Sequence, residues 1–329
     1  NCTTEERKKE FTETWKELTQ ICKQGCFSID DIFRYYTHIL RARKNDKTKE
    51  VGLRKFYAEN KYERLKAENI MSEIMDLAFF WRFINTNIEP EINYDYSISP
   101  KAKTHLHCLS CYPNEFWKYA TSVFFMKNKD SDDFNANFEN MLQKLIAFLF
   151  AKFIDQPSVN AIKDDIYNSC ISLNANNELQ YRFVLNEELL NQQIDGHSSS
   201  RISRALLLLY AYLNTNQTGL IPSTFDIEHI FPKKWQDTNY NDWTKTDAEL
   251  YLDRFGNKIV FEKKLNIQAG NGYFGMKKQK YKISSIASVV DLSNYPSNDW
   301  VKADIEKREI EFKQALINYF KINLLNSNE

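Results

Sequence analysis

Glycine is scarce in the first two thirds of this chain. Gly25, Gly52 and Gly196 are the three that precede Gly219, whereas Gly256, Gly270, Gly272 and Gly275 follow within a short span. Glycine supplies the backbone freedom that tight turns need, so this distribution predicts a mostly helical body followed by a last third that contains turns. The length prior gives roughly two domains, and the shift near Gly219 places the boundary: residues 1–215 as a helical scaffold, residues 216–329 as a smaller second domain.

Hydrophobic spacing supports the helical reading. Phe11, Trp15, Leu18 and Cys22 recur at helical intervals, and Ser28 with Asp31 three positions on opens a second helix whose stripe is Ile32, Phe33, Tyr36, Ile39 and Leu40. Further helices are expected near 53–65, 70–84, 114–125, 135–153 and 200–213, with a loop over 90–100. Beyond Gly219, Thr224 to Ile230 and Lys258 to Phe261 are β-prone runs, a short helix is expected near 248–252, and 264–281 has room for a helix. The chain closes with an amphipathic helix from about Lys302 to Leu324, its buried face being Ile305, Phe312, Leu316, Tyr319 and Phe320.

Composition removes several classes. With 43% hydrophobic and 14% aromatic residues the chain is too rich in core-forming side chains for intrinsic disorder. Its longest apolar runs, such as Ala205 to Leu213, fall well short of the roughly 20 residues of a membrane-spanning helix. Six cysteines with no signal-like leader fit a reducing, cytoplasmic setting. The balance of 44 Lys+Arg against 44 Asp+Glu argues against coating nucleic acid through bulk charge, and directs attention to where charge is placed.

His105, His107, Cys108 and Cys111 have a metal-like look, but zinc sites draw on separated ligand pairs, and a cluster this compact reads as a helix end or buried turn carrying small apolar cysteines. The stronger signal is Asp226-Ile227-Glu228-His229-Ile230-Phe231-Pro232, an acid beside a histidine in a β-prone run that a proline terminates. Adjacent strand residues face opposite ways, so Glu228 and His229 serve one site only near a strand end. Downstream, residues 255–285 hold Lys258, Lys263, Lys264, Lys277, Lys278, Lys280 and Lys282 against the single acid Glu262. A base, oxygen ligands for a hard cation and phosphate-holding groups are what phosphodiester hydrolysis needs, and all three classes occur together.

These residues resemble the HNH or His-Me finger nucleases, in particular the C-terminal nuclease domain of GmrSD-type, modification-dependent restriction endonucleases. The resemblance rests on Ile227 to Pro232, Phe255-Gly256-Asn257, Leu265-Asn266, and Asn271, Phe274, Lys277 and Tyr281, and extends more loosely to Trp300 and Arg308. Glu228 departs from the Asp of many such sites, and Lys258 from the apolar residue that commonly follows Gly-Asn. No cysteine follows Cys170, which excludes the zinc-ribbon form.

The resemblance implies a mainly α protein: a helical region, then a small ββα-metal domain and a closing helix. It makes His229 the general base, has Asn257 brace the finger and orient His229, gives the cation to Glu228 and Asn266, and sets Lys277 on a phosphate, with Lys278 and Lys258 adding to the basic patch. A neutral imidazole suits proton abstraction from water at physiological pH. Oxygens from Glu228 and Asn266 suit Mg²⁺ or Mn²⁺, which would stabilise the charge on the leaving oxygen. The implied function is a metal-dependent DNA endonuclease or nickase of a restriction or anti-phage system. Its implied partners are DNA, including modified phage DNA, and a nucleotide-hydrolysing N-terminal domain upstream of Asn1. The alternatives are an inactive nucleic-acid- or partner-binding module, and an RNA nuclease with the same site.

Overall fold

Local chemistry sets the first helices. The Thr4 side chain caps the helix Glu5–Gln24 by accepting from the Arg7 N–H, and Ser28 and Asp31 form a reciprocal capping box at the start of the helix Ile29–Arg43. The computed structural model describes residues 4–86, 97–238 and 243–325. Most of the loop expected over 90–100 lies outside them. The chain is mainly helical, with a small two-stranded antiparallel sheet toward its C-terminal end and a long closing helix.

The residues divide into two compact units, one of Asn1–Ser99, Glu115–Leu142 and Ile162–Arg182, the other of Pro100–Asn114, Gln143–Ala161 and Phe183–Glu329. The first has an aromatic core. Phe80 stacks on Phe125 with ring centres 3.9 Å apart, and the buried Trp81 indole donates to the Ser122 hydroxyl at 3.0 Å, which satisfies the one polar atom that its burial takes from water. Leu18 and Cys22 are buried as the spacing predicts. Phe11 and Trp15, the outer half of the same stripe, are 44% and 37% exposed.

The second unit holds the sheet. β1 (Phe225–His229) pairs antiparallel with β2 (Lys258–Glu262), in a register that sets Phe225 opposite Glu262, Glu228 opposite Ile259 and His229 opposite Lys258. Two strands alone are marginal in water, and here helices cover them. The Arg204 guanidinium lies 3.7 Å over the Phe225 ring, and Tyr281 meets Phe261 edge-on. The strands are joined by residues 230–257, which include the helix Lys245–Tyr251 and a turn at Phe255–Asn257. After β2, the stretch expected to hold a helix forms two, Lys263–Ala269 and Phe274–Tyr281, because the chain turns at Gly270 with φ +55. The closing helix is Lys302–Leu325, with Ile305, Phe312, Leu316 and Phe320 fully buried.

Candidate active site

His229 is the last residue of β1, where the ladder ends and the chain turns inward through the buried Ile230 and Phe231. The carbonyl and amide groups of this turn have left the sheet and need partners. Asn257, wholly buried, supplies several: its backbone carbonyl takes the Ile230 N–H at 2.9 Å, its Oδ1 takes the Phe231 N–H at 2.7 Å, and its Nδ2 donates to the Phe231 and Leu252 carbonyls.

The turn carrying Asn257 is itself clamped by the closing helix. Glu309 accepts from the Phe255 N–H at 3.1 Å and from Arg254, while Arg308 donates to the carbonyls of Phe255, Gly256 and Lys258. Gly256 is required by this packing, since a Cβ there would lie 1.9 Å from the Ile305 carbonyl oxygen. Arg308, a looser part of the sequence resemblance, is thus tied directly to the Phe255-Gly256-Asn257 segment.

The His229 imidazole is mostly buried, and its Nε2 lies 3.2 Å from Asp253 Oδ1. Burial, with Lys233 and Lys258 nearby, pushes its pKa down to about 4 against the opposing pull of Asp253, so the ring is neutral at physiological pH. Asp253 is 57% exposed and also receives the Lys258 amine at 2.9 Å. Burial alone would raise its pKa, but the hydrogen bonds from Lys258 and His229 bring it down to about 2. No local motif marks Asp253, which lies 24 residues from His229; only the return of the chain from residues 230–257 into β2 brings the two together.

Glu228 faces the other way. Pairing puts Asp226 and Glu228 on the face of Phe261 and Ile259, and His229 on the face of Lys258. The strand end does not bring Glu228 and His229 into one cluster. Glu228, 5% exposed, accepts the Lys277 amine at 2.6 Å and the Tyr281 hydroxyl at 2.9 Å, both on Oε1. Burial raises the pKa of this carboxyl, opposed by Lys277, and lowers that of the lysine, opposed by Glu228. Asn266 sits on the helix Lys263–Ala269, its Nδ2 3.5 Å from Asp226 Oδ2.

This arrangement does not fit a divalent cation held by Glu228 and Asn266. The Lys277 ammonium already lies against Glu228 Oε1, and the Asn266 amide contacts Asp226. Asn266 meets Asp226, which shares the Glu228 face of β1 by its i−2 spacing.

The lysines read as phosphate-holding are also turned toward protein acceptors. Lys277 is 1% exposed. Lys258 donates to Asp253 and to the Ser198 carbonyl, and Lys278 to the carbonyls of Tyr295 and Ser297. Within the helix Pro100–Ser110, His105 and Cys108 are buried and His107 Nδ1 lies 2.8 Å from the Tyr212 hydroxyl.

A family model described as GmrSD restriction endonucleases, C-terminal domain, matches residues 161–315. The matched segment includes His229, Asp253, Asn257, Asn266, Lys277 and Arg308. No curated protein matches the chain. Among the described residues no helix is long and apolar enough to cross a membrane.

Proposed function

Residues 161–315 are a GmrSD restriction endonuclease C-terminal domain, and on that premise we propose that the chain is a DNA endonuclease or nickase in which His229 activates the attacking water. The observation that carries this reading is the His229–Asp253 contact at a strand end. With Asp253 accepting from Nε2–H, the proton is fixed on that nitrogen, and the Nδ1 lone pair is left to take a proton from water. Asp253 then stabilises the imidazolium that forms. Asn257 contributes through the backbone, holding the turn on which the histidine ends.

The reading assigns catalysis to residues 216–329 and a scaffold role to residues 1–215, in the cytoplasm, as part of a restriction or anti-phage system. Its substrate is DNA, modified phage DNA included, and its partner a nucleotide-hydrolysing domain. Mg²⁺ or Mn²⁺ is the cation that the family resemblance implies, and Glu228 is held by Lys277.

The test is plasmid nicking by wild type and His229→Ala across a titration of Mg²⁺ and Mn²⁺. The expected result is a loss of at least about 100-fold in rate, the lower range for a general base. Equal rates would overturn the assignment. DNA that is bound but never cut would favour a binding module, and faster cutting of matched RNA strands an RNA nuclease.

A further inference from the structure

The Lys277 amine lies 2.6 Å from Glu228 Oε1, 2.6 Å from the His229 carbonyl and 3.4 Å from the Ile230 carbonyl. An ammonium has three N–H donors and no acceptor, so these three oxygens match its capacity. Two of them belong to the residues at which β1 ends. A side chain that touched Glu228 alone would be an ordinary buried ion pair; this one also fixes the backbone of the candidate base. Asn257 holds Ile230 and Phe231, so residues 229–231 are gripped by two side chains from different elements. The spacing of Phe274, Lys277 and Tyr281 at i, i+3 and i+7 places the lysine on the buried face of its helix, between two core aromatics.

We propose that Lys277 is a positioning residue for His229: its buried ammonium, anchored by Glu228, whose Oε1 the Tyr281 hydroxyl also holds, fixes the end of β1 and so the direction of the imidazole, and Glu228 serves this clamp in place of a metal. The inference rests on the reading of His229 as the base. It turns the resemblance's phosphate-holding lysine and metal-binding acid into one internal device.

The experiment uses the full chain. In Lys277→Met the expected result is a fall in kcat for plasmid nicking of about tenfold or more, with KM for DNA within about twofold of wild type. A lysine that held a phosphate would instead raise KM and flatten the salt dependence of binding. The readout specific to positioning is the imidazole signal of His229 in ¹⁵N-histidine NMR, identified among the five histidines as the one missing from His229→Ala. It should move in Lys277→Met at pH 7.

Because Lys277→Met leaves a buried acid unpaired and can fail to fold, Glu228→Gln/Lys277→Met, which removes both charges, gives a second reading and should show the same displaced signal. A third needs no variant: the slowly exchanging ammonium ¹⁵N signal of wild type should stay in place when a short DNA duplex is added. An unmoved His229 signal in a folded variant, or an ammonium signal that shifts with DNA, overturns the proposal. If His229→Ala cuts as fast as wild type, the base assignment fails by itself, while a His229 signal displaced in Lys277→Met still upholds the clamp.

Discussion

A free imidazole would be half protonated near pH 6.5, but burial holds His229 in its neutral form down to about pH 4. His105 and His107 are likewise lowered to about 4, and His38 is lowered, all by burial first. The sign of the consequence follows from linkage. A histidine whose folded pKa lies below its unfolded value binds protons more readily when unfolded, so its contribution to stability is present above pH 6.5 and is lost as pH falls toward 4. The melting temperature should therefore drop by several degrees between pH 7 and pH 4.5, and part of that drop should disappear in His105→Gln, which cannot titrate. Calorimetry across this range checks it; a flat profile would mean that these rings protonate in place. For His229 itself, Asp253 is the group that favours the imidazolium. Asp253→Asn should move the titration of the ring below pH 4 and lower kcat for nicking by about tenfold or more, measurable by NMR titration beside the nicking assay.

Elements differ in how far the sequence discloses them, and the Phe255–Asn257 turn marks the limit. Gly256→Ala forces a Cβ against the Ile305 carbonyl at 1.9 Å, backbone against backbone with no flexible side chain to yield. The expected cost is about 1–3 kcal/mol or more, read as a lower urea midpoint, together with slower nicking, because the same turn carries Asn257. Gly196→Ala, which meets nothing within 4 Å, should be near neutral and serves as control. The capping box at Ser28 and Asp31, the stripe of Ile32, Tyr36 and Ile39, and both strands were legible because their causes lie within a few residues. The Glu228-His229 pair is visible as a local motif, whereas the roles of Asn257, Glu228 and Asn266 rest on the family resemblance. What stayed hidden was non-local. Asp253 reaches His229, and Arg308 and Glu309 reach the Phe255 turn, through tertiary packing alone. Lys277 is the intermediate case, since its i, i+3, i+7 spacing with Phe274 and Tyr281 was visible, yet charge suggested an exposed role that burial denies it.

For the whole molecule, the balance of 44 cationic against 44 anionic side chains acquires a definite meaning once the lysines are located. Of the seven between residues 255 and 285, Lys258, Lys277 and Lys278 each donate to acceptors within the protein. Lys263, Lys264 and Lys282 are exposed, as are Lys233 and Lys234 just beyond β1. On the proposed reading, phosphate contacts from this part of the chain fall to these exposed lysines, each adding about −0.9 to the slope of log K against log salt. Lys263→Gln/Lys264→Gln should weaken binding evenly across sequences and reduce the slope by about 2, one for each contact removed. Lys278→Gln should leave the slope unchanged and lower the melting temperature instead, because its amine ties the Phe274–Tyr281 helix to the Tyr295 and Ser297 carbonyls. Fluorescence anisotropy with a labelled duplex over a KCl series separates the two variants. A reduced slope in Lys278→Gln would place its amine on DNA and reverse the division between lysines that build the fold and lysines that face the substrate.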